Sequence, residues 1–328
     1  LGSDSDWIEA GFIEDATTWI DRQLDTLGEK RTGPVEQPHR TGWATVLRVP
    51  TSTKDVYFKA VSPAYKFEIR LTAFLAQTWP TVSPRLLASD ADRGWMMMLD
   101  GGSRLRELLK EKPDLGRWEA VLDRYAQLQR QSSDHGSQLL AMGIPDRRIQ
   151  LLLERFEQFL VQPDKLIGDE LSKEEIQQLI SSRQKLEIYV RELDDLGIRP
   201  CLDHGDFHDG NIFVDQGAYI FFDWGDAGLT HPFFSLRTAF VSLENSLGFK
   251  EDDPIFSRLS DHYLRQWTDW GSMQALRRAY LISKPLASIN AAVRWQEAID
   301  DLEEDDRTPY RSVIPSLLCE VLIGLGSL

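Results

Sequence analysis

The chain opens with a helical rhythm of apolar positions. Trp7, Ile8, Phe12, Ile13, Trp19, Ile20, Leu24 and Leu27 recur every three or four residues, which predicts a helix over residues 4 to 30. The polar stretch "KRTGPVEQPHRTG" reads as a connector. Beyond it the period shortens. "WATVLRVP" and "DVYFKAV" are β-rich and separated by the turn-like "TSTK", so they predict a hairpin. "AYKFEIRLTAFLAQTW" returns to helical spacing at Phe67, Leu71, Phe74 and Leu75. "RLLASDADRGWMMML" reads as two more strands around a turn. Residues 40 to 100 are therefore expected to form a small antiparallel sheet with one helix inserted.

After "DGGS" the pattern is mostly helical. Trp118, Val121, Leu122, Tyr125 and Leu128 make one apolar stripe, and residues 147 to 161 and 172 to 195 carry two more helical patterns. A short β segment interrupts near residues 201 to 228. From Leu236 onward the helical pattern resumes, broken at "GFKEDDP" and "EEDDRTPY". A length of 328 residues is long for one core. The expectation is an α+β chain in two lobes: residues 1–100, an N-terminal helix with the sheet, and residues 101–328, mainly helical.

Charge narrows the range of partners. Against 37 basic residues stand 52 acidic ones, a net charge of −15, whose field disfavours nucleic acid. A cationic small molecule or a metal–nucleotide complex suits that field better, although the charge also serves solubility. The acidic "EAIDDLEEDDRTPY" reads as a solvated helix end, in preference to a cation-attracting rim. The two cysteines, Cys201 and Cys319, form no metal or redox spacing and fit a reducing, cytoplasmic setting. The N-terminus lacks an apolar secretory core. The late run "SVIPSLLCEVLIGLGSL" is short and carries Glu320, so no membrane span is expected.

The chemistry concentrates in "CLDHGDFHDGNIFVDQGAYIFFDWGDAG", residues 201 to 228. Ile212–Val214 and Tyr219–Phe222 read as strands joined by "DQGA", with Gly217 free to take positive φ. Such a hairpin is expected to bring Asn211 and Asp223 side by side, an amide oxygen and a carboxylate suited to Mg²⁺. Asp206 lies five residues before Asn211, close enough to accept the proton of a substrate hydroxyl without being a metal ligand. The order H-G-D-x-x-x-x-N followed by D-W-G parallels the protein-kinase loop H-R-D-x-x-x-x-N and D-F-G. The same logic calls for a strand lysine followed by a helical glutamate, and Lys59 in "VYFK" with Glu68 nine residues on supplies them. Taken singly, each residue has a plainer reading: Asp206 as a cap, Asn211 and Asp223 as turn residues, Lys59 as a solvated strand lysine. The order of all five favours chemistry.

These motifs resemble the aminoglycoside phosphotransferase and choline kinase-like family, the small-molecule branch of the protein-kinase-like fold. Gly205 in place of arginine, and His208 two residues after Asp206, point to that branch. "GWMMMLDGGSRLREL" looks like its strand, hinge and following helix. The resemblance covers roughly residues 40 to 320. It implies a two-lobed protein-kinase-like fold with a small antiparallel-sheet N-lobe and a mainly helical C-lobe. It implies an ATP- and Mg²⁺-dependent phosphotransferase acting on a hydroxyl of a small molecule. By position, Asp206 would be the catalytic base, Lys59 would contact the α/β-phosphates and pair with Glu68, the backbone near Met98 would bind adenine, and Asn211 and Asp223 would hold Mg²⁺.

The chain departs from the family in two places. Gly42 is the lone glycine of "HRTGWATVLRV", and His231 and Ser235 stand where the family often has Asp-Pro and a later Asp. These departures motivate the alternative of a nucleotide-binding pseudo-enzyme or regulatory module. A protein kinase is disfavoured because no A-P-E follows D-W-G. His204 reads as structural, His208 as either loop support or substrate contact, and Asp226 as either a group behind the metal or an extra metal ligand. Asp203, Asp209 and Asp215 read as loop and turn residues. Met96 to Met98 read as core and adenine-pocket lining; Trp267, Trp270, Tyr280 and Trp295 read as core. The expected partner is a small hydroxyl compound, with a tilt toward a cationic or amino-bearing one. Oligomeric state is left open.

Overall fold

A computed structural model describes Trp7 and residues 9–161, 171–250 and 252–326. The chain divides into two compact units. One comprises Leu1–Ser103, Phe213–Gly225 and Ala298–Pro309; the other comprises Arg104–Ile212, Asp226–Glu297 and Tyr310–Leu328.

The first unit begins with helix α1 (Ala10–Thr26). The expected start at residue 4 lies outside the described residues, and the helix stops short of residue 30 because Gly28 takes a left-handed φ of 74°. Strands β1 (Glu36–Arg40), β2 (Ala44–Val49) and β3 (Val56–Val61), helix α2 (Phe67–Thr78), and strands β4 (Leu86–Asp90) and β5 (Trp95–Leu99) follow. They form a five-stranded antiparallel sheet in the order β1-β2-β3-β5-β4. Strand β1 corrects the reading of its segment as a connector. All five of its residues are exposed, so it has no apolar alternation to betray it.

Alternation along the strands sorts their side chains onto two faces. Leu47, Val49, Val56, Phe58, Ala60, Trp95 and Met97 pack with Trp19, Ile20 and Leu24 of α1. Ala44, Val61, Met96 and Met98 pack with Ile69 of α2. Lys59 lies between Phe58 and Ala60 in sequence and so turns toward the α2 face.

In the second unit, the short strand β6 (Ser103–Arg104) leads to helices α3 (Leu105–Glu111), α4 (Leu115–Ser132), α5 (Gly136–Ala141), α6 (Ile149–Leu160), α7 (Lys173–Ser181) and α8 (Arg183–Asp195). Strand β7 (Cys201–Asp203) pairs antiparallel with β10 (Gly228–Thr230). Between these two strands in sequence comes the hairpin of β8 (Ile212–Asp215) and β9 (Ala218–Phe221), which from Phe213 onward belongs to the first unit. Gln216 and Gly217 both have positive φ, 50° and 86°, which is the two-residue turn that matches strand twist. Helices α9 (Ser235–Leu247), α10 (Pro254–Leu264), α11 (Met273–Asp300) and α12 (Val313–Gly326) complete the chain. Among the described residues no helix is long and apolar enough to cross a membrane.

Candidate active site

Lys59 is 7% exposed, yet its ammonium has two anionic partners. Nζ donates to Glu68 Oε1 at 2.6 Å and to Asp223 Oδ1 at 2.7 Å. Glu68 is 1% exposed in the first turn of α2, where the helix end also favours negative charge. Asp223 sits two residues beyond β9 in left-handed backbone, φ 64°, a conformation Asp tolerates better than most. Burial alone would favour a neutral lysine, but Asp223 and Glu68 push its pKa above the ordinary value. Lys59, Glu68 and Asp223 are thus brought together from three elements. Met98 is buried one residue before the end of β5, in register with Tyr57 on β3 and Leu86 on β4. The chain leaves the sheet just after it, where the Asp100 N–H donates to the Asp55 carbonyl at 3.1 Å.

The loop after β7 holds the other candidates. Gly205 has φ 76°, and a Cβ there would fall on the Asp226 carbonyl oxygen, so glycine is required twice over. Asn211 Nδ2 donates to both the backbone oxygen and Oδ2 of Asp206, each at 3.0 Å. His208 Nε2 lies 3.1 Å from the same Oδ2. The Gly210 N–H donates to His208 Nδ1 at 2.9 Å, which leaves the imidazole proton on Nε2, directed at Asp206. His208 therefore supports the loop. Burial would raise the Asp206 pKa, but the His208 hydrogen bond and the nearby Arg294 charge hold it well below the usual carboxylate range. Asp206 is a third exposed, so an ionised oxygen acceptor is kept within reach of solvent.

Both amide hydrogens of Asn211 are spent on Asp206. Its amide oxygen has no protein donor among the described residues, so it is available to a hard cation such as Mg²⁺. Asn211 falls in the helical unit and Asp223 in the sheet-bearing unit.

Two aspartates read as loop and turn residues are core anchors instead. Asp209 is fully buried and accepts from Arg106 Nε at 2.7 Å and from the Ser242 and Ser246 hydroxyls at 2.9 Å each. Asp203 is 3% exposed and accepts from Tyr125 Oη at 3.2 Å and from Ser235 Oγ. Asp226 pairs with Arg294 Nη1 at 3.2 Å, and its carbonyl accepts from Arg147 Nη1 at 3.0 Å. Arg106, Tyr125, Arg147 and Arg294 were not singled out by motif. Arg294 did carry a signal: it is a lone cation in the apolar run "SINAAVRW" of α11.

A lysine salt-bridged to a helical glutamate in one unit, and an aspartate tied to an asparagine in the other, are residue pairs of the kinds that phosphoryl transfer uses. A model of the phosphotransferase enzyme family matches residues 37–276, well over half of the chain. The chain belongs to that family and is a phosphotransferase, as the ordered motifs led us to expect. No curated protein sequence matches it. Among solved structures it is similar to choline kinase LicA from Streptococcus pneumoniae, with 15% identity and TM-score 0.59 over 95% of this chain and 99% of that one. It is similar to a Plasmodium vivax ethanolamine kinase, with 14% identity and TM-score 0.57 over 87% and 82%. It is also similar to the GDP complex of aminoglycoside 2'-phosphotransferase-IIIa, with 15% identity and TM-score 0.57 over 96% and 100%. The protein has their protein-kinase-like fold. The pseudo-enzyme alternative gains no support.

Proposed function

We propose that the enzyme transfers the γ-phosphoryl group of ATP to an alcohol hydroxyl of a small, amino-bearing molecule. The pair of Asp206 and Asn211 carries this reading. Asp206 is ionised and ready to accept the hydroxyl proton late in transfer. Its tie to Asn211 fixes the base relative to the amide oxygen. Asn211 and Asp223 are the residues that would hold Mg²⁺, which when bound neutralises phosphate charge. Lys59, oriented by Glu68, contacts the α/β-phosphates, and the backbone at the exit of β5, at or just beyond Met98, hydrogen-bonds adenine. The net charge of −15 favours a cationic acceptor. The similar kinases named for choline, ethanolamine and aminoglycosides support the same class.

Asp206→Asn should lower turnover by about three orders of magnitude, within the range for a positioned base. Nucleotide affinity, read by calorimetry with MgATP, should change by less than about threefold, the charge–charge repulsion removed there being small at protein-surface dielectric. Near-wild-type turnover in this variant would exclude Asp206 as the base. Release of ADP should be stimulated by amino alcohols or aminoglycosides more than by neutral sugars; the reverse preference would exclude the amino-bearing acceptor.

A further inference from the structure

We infer that Asp203 is a positioning residue for the catalytic loop, acting through Tyr125 and Ser235 as one hydrogen-bonded unit; this rests on reading Asp206 as the base. Asp203 ends β7, three residues before Asp206, with its carboxylate buried. Its Oδ1 accepts from Tyr125 Oη at 3.2 Å and from Ser235 Oγ. The Tyr125 oxygen in turn accepts the His204 N–H at 2.8 Å. Ser235 Oγ accepts from Gln129 Nε2 at 3.0 Å, and Gln129 Oε1 accepts from Tyr263 Oη at 2.5 Å.

Two proton arrangements fit this network, and both end on Asp203. Each hydroxyl has one hydrogen. If Tyr125 and Ser235 both donate to Asp203, each keeps its lone pairs for the N–H groups of His204 and Gln129. In the other arrangement Tyr125 donates to Ser235 across 3.1 Å and Ser235 donates to Asp203. In either arrangement the chain of donors ends on Asp203 Oδ1, so Asp203 is the sink of the network. Burial, and then the neighbouring Asp203 charge, push the Tyr125 phenol well above its ordinary pKa, which keeps it a donor.

The consequence for the loop is geometric. His204 is completely buried and its N–H is pinned to Tyr125. The next residue, Gly205, turns the chain through φ 76° against the Asp226 carbonyl. Fixing the peptide before that turn fixes the direction in which Asp206 leaves it. Catalysis is sensitive to such placement, since a small displacement of a base costs rate without costing substrate affinity.

The test uses the full chain, with MgATP turnover, to water or to an acceptor found by ADP release, as the kinetic probe. Hydrogen exchange over residues 202–206 serves as the structural probe. Asp203→Asn and Tyr125→Phe should each lower kcat by about ten- to a hundredfold, as expected when a positioned catalytic group is displaced, with KM for MgATP changed less than about threefold. The double variant should be no more than about threefold slower than the slower single one, because the residues act together. Tyr125→Phe should speed exchange in the 202–206 segment by about tenfold or more. Should Asp203→Asn fail to fold, Ser235→Ala, which removes one donor to the same oxygen, takes its place under the same criteria. Faster exchange with kcat within about twofold of wild type would overturn the positioning role, as would strict multiplication of the two kcat losses. If Asp206→Asn leaves turnover unchanged while these variants lower it, the assignment of the base fails instead, and the two failures are told apart.

Discussion

Lys59 in the sheet-bearing unit and Asp206 in the helical unit are both kept charged against burial, by different means. Lys59 touches two carboxylates directly, and one of them, Glu68, is itself 1% exposed. Asp206 is held by an imidazole N–H, an asparagine amide and the more distant charge of Arg294. The lysine cluster is compensated internally, so damage to it leaves an uncompensated buried charge and costs stability. The aspartate is held by hydrogen bonds and is partly exposed, so damage to it costs reactivity before stability. One region stores charge; the other keeps a charge usable.

This contrast can be broken most forcefully at Lys59. Lys59→Met should destabilise the protein by about 3 kcal/mol in urea denaturation, because Glu68 loses its buried partner. Adding Glu68→Gln should recover at least about half of that loss, since the uncompensated charge is gone. A double variant as unstable as the single one would mean that packing, not charge, dominates there.

The next largest effect is expected at Gly205. Gly205→Ala forces a left-handed residue and a clash with the Asp226 carbonyl, at a cost of about 2 kcal/mol. Turnover should fall further than that figure implies, because the loop bearing Asp206 must move. A kinetic loss no larger than that of a distant variant of equal stability would show that the loop tolerates the shift.

A third kind of buried group sharpens the comparison. His231 has no counter-charge among the described residues, and burial lowers its pKa from 6.5 to about 3. The fold holds it neutral while the unfolded chain takes up a proton first. Its contribution is complete above pH 6.5 and is lost as the pH falls from 6.5 toward 3. At pH 5.5 this should amount to about 1.4 kcal/mol. His231→Asn keeps a cap acceptor for the Phe233 N–H but does not titrate. Its stability should depend less steeply on pH than wild type between pH 6 and 4 by about one proton. Equal slopes would place the acid sensitivity elsewhere.

The smallest effect is expected for the half-exposed pair of Arg31 and Asp21, which meet at 2.9 Å. Burial is slight and solvent screens the pair, so Asp21→Asn should cost well under about 1 kcal/mol. A larger loss would mean that the surface contact is coupled to the packing of α1.

Legibility followed contact range. The hairpin of β2 and β3 and the helix α2 could be read from alternation and helical spacing, and the nine-residue step from Lys59 to Glu68 is local enough to follow from them. The turn after Asp215 was legible through Gly217, although Gln216 shares its positive φ. Strand β1 was hidden because an exposed edge strand pairs through backbone alone. Asp203 and Asp209 looked like loop residues because their partners lie far off in sequence. Tyr125 is 78 residues from Asp203, and Arg106 is 103 from Asp209.

By itself the sequence determined the order of the chemistry: a strand lysine, a helical glutamate, then Asp206, Asn211 and Asp223. It did so because short-range periodicity places each type of side chain on a known kind of element. The tertiary structure alone decided which charges are compensated and which remain usable. Lys59 meets Asp223 across 164 residues, and Asp203 becomes a buried anchor through α4 and α9. Burial and hydrogen-bond partnership depend on packing between distant segments, and no local pattern encodes the direction in which a buried oxygen finds its donor.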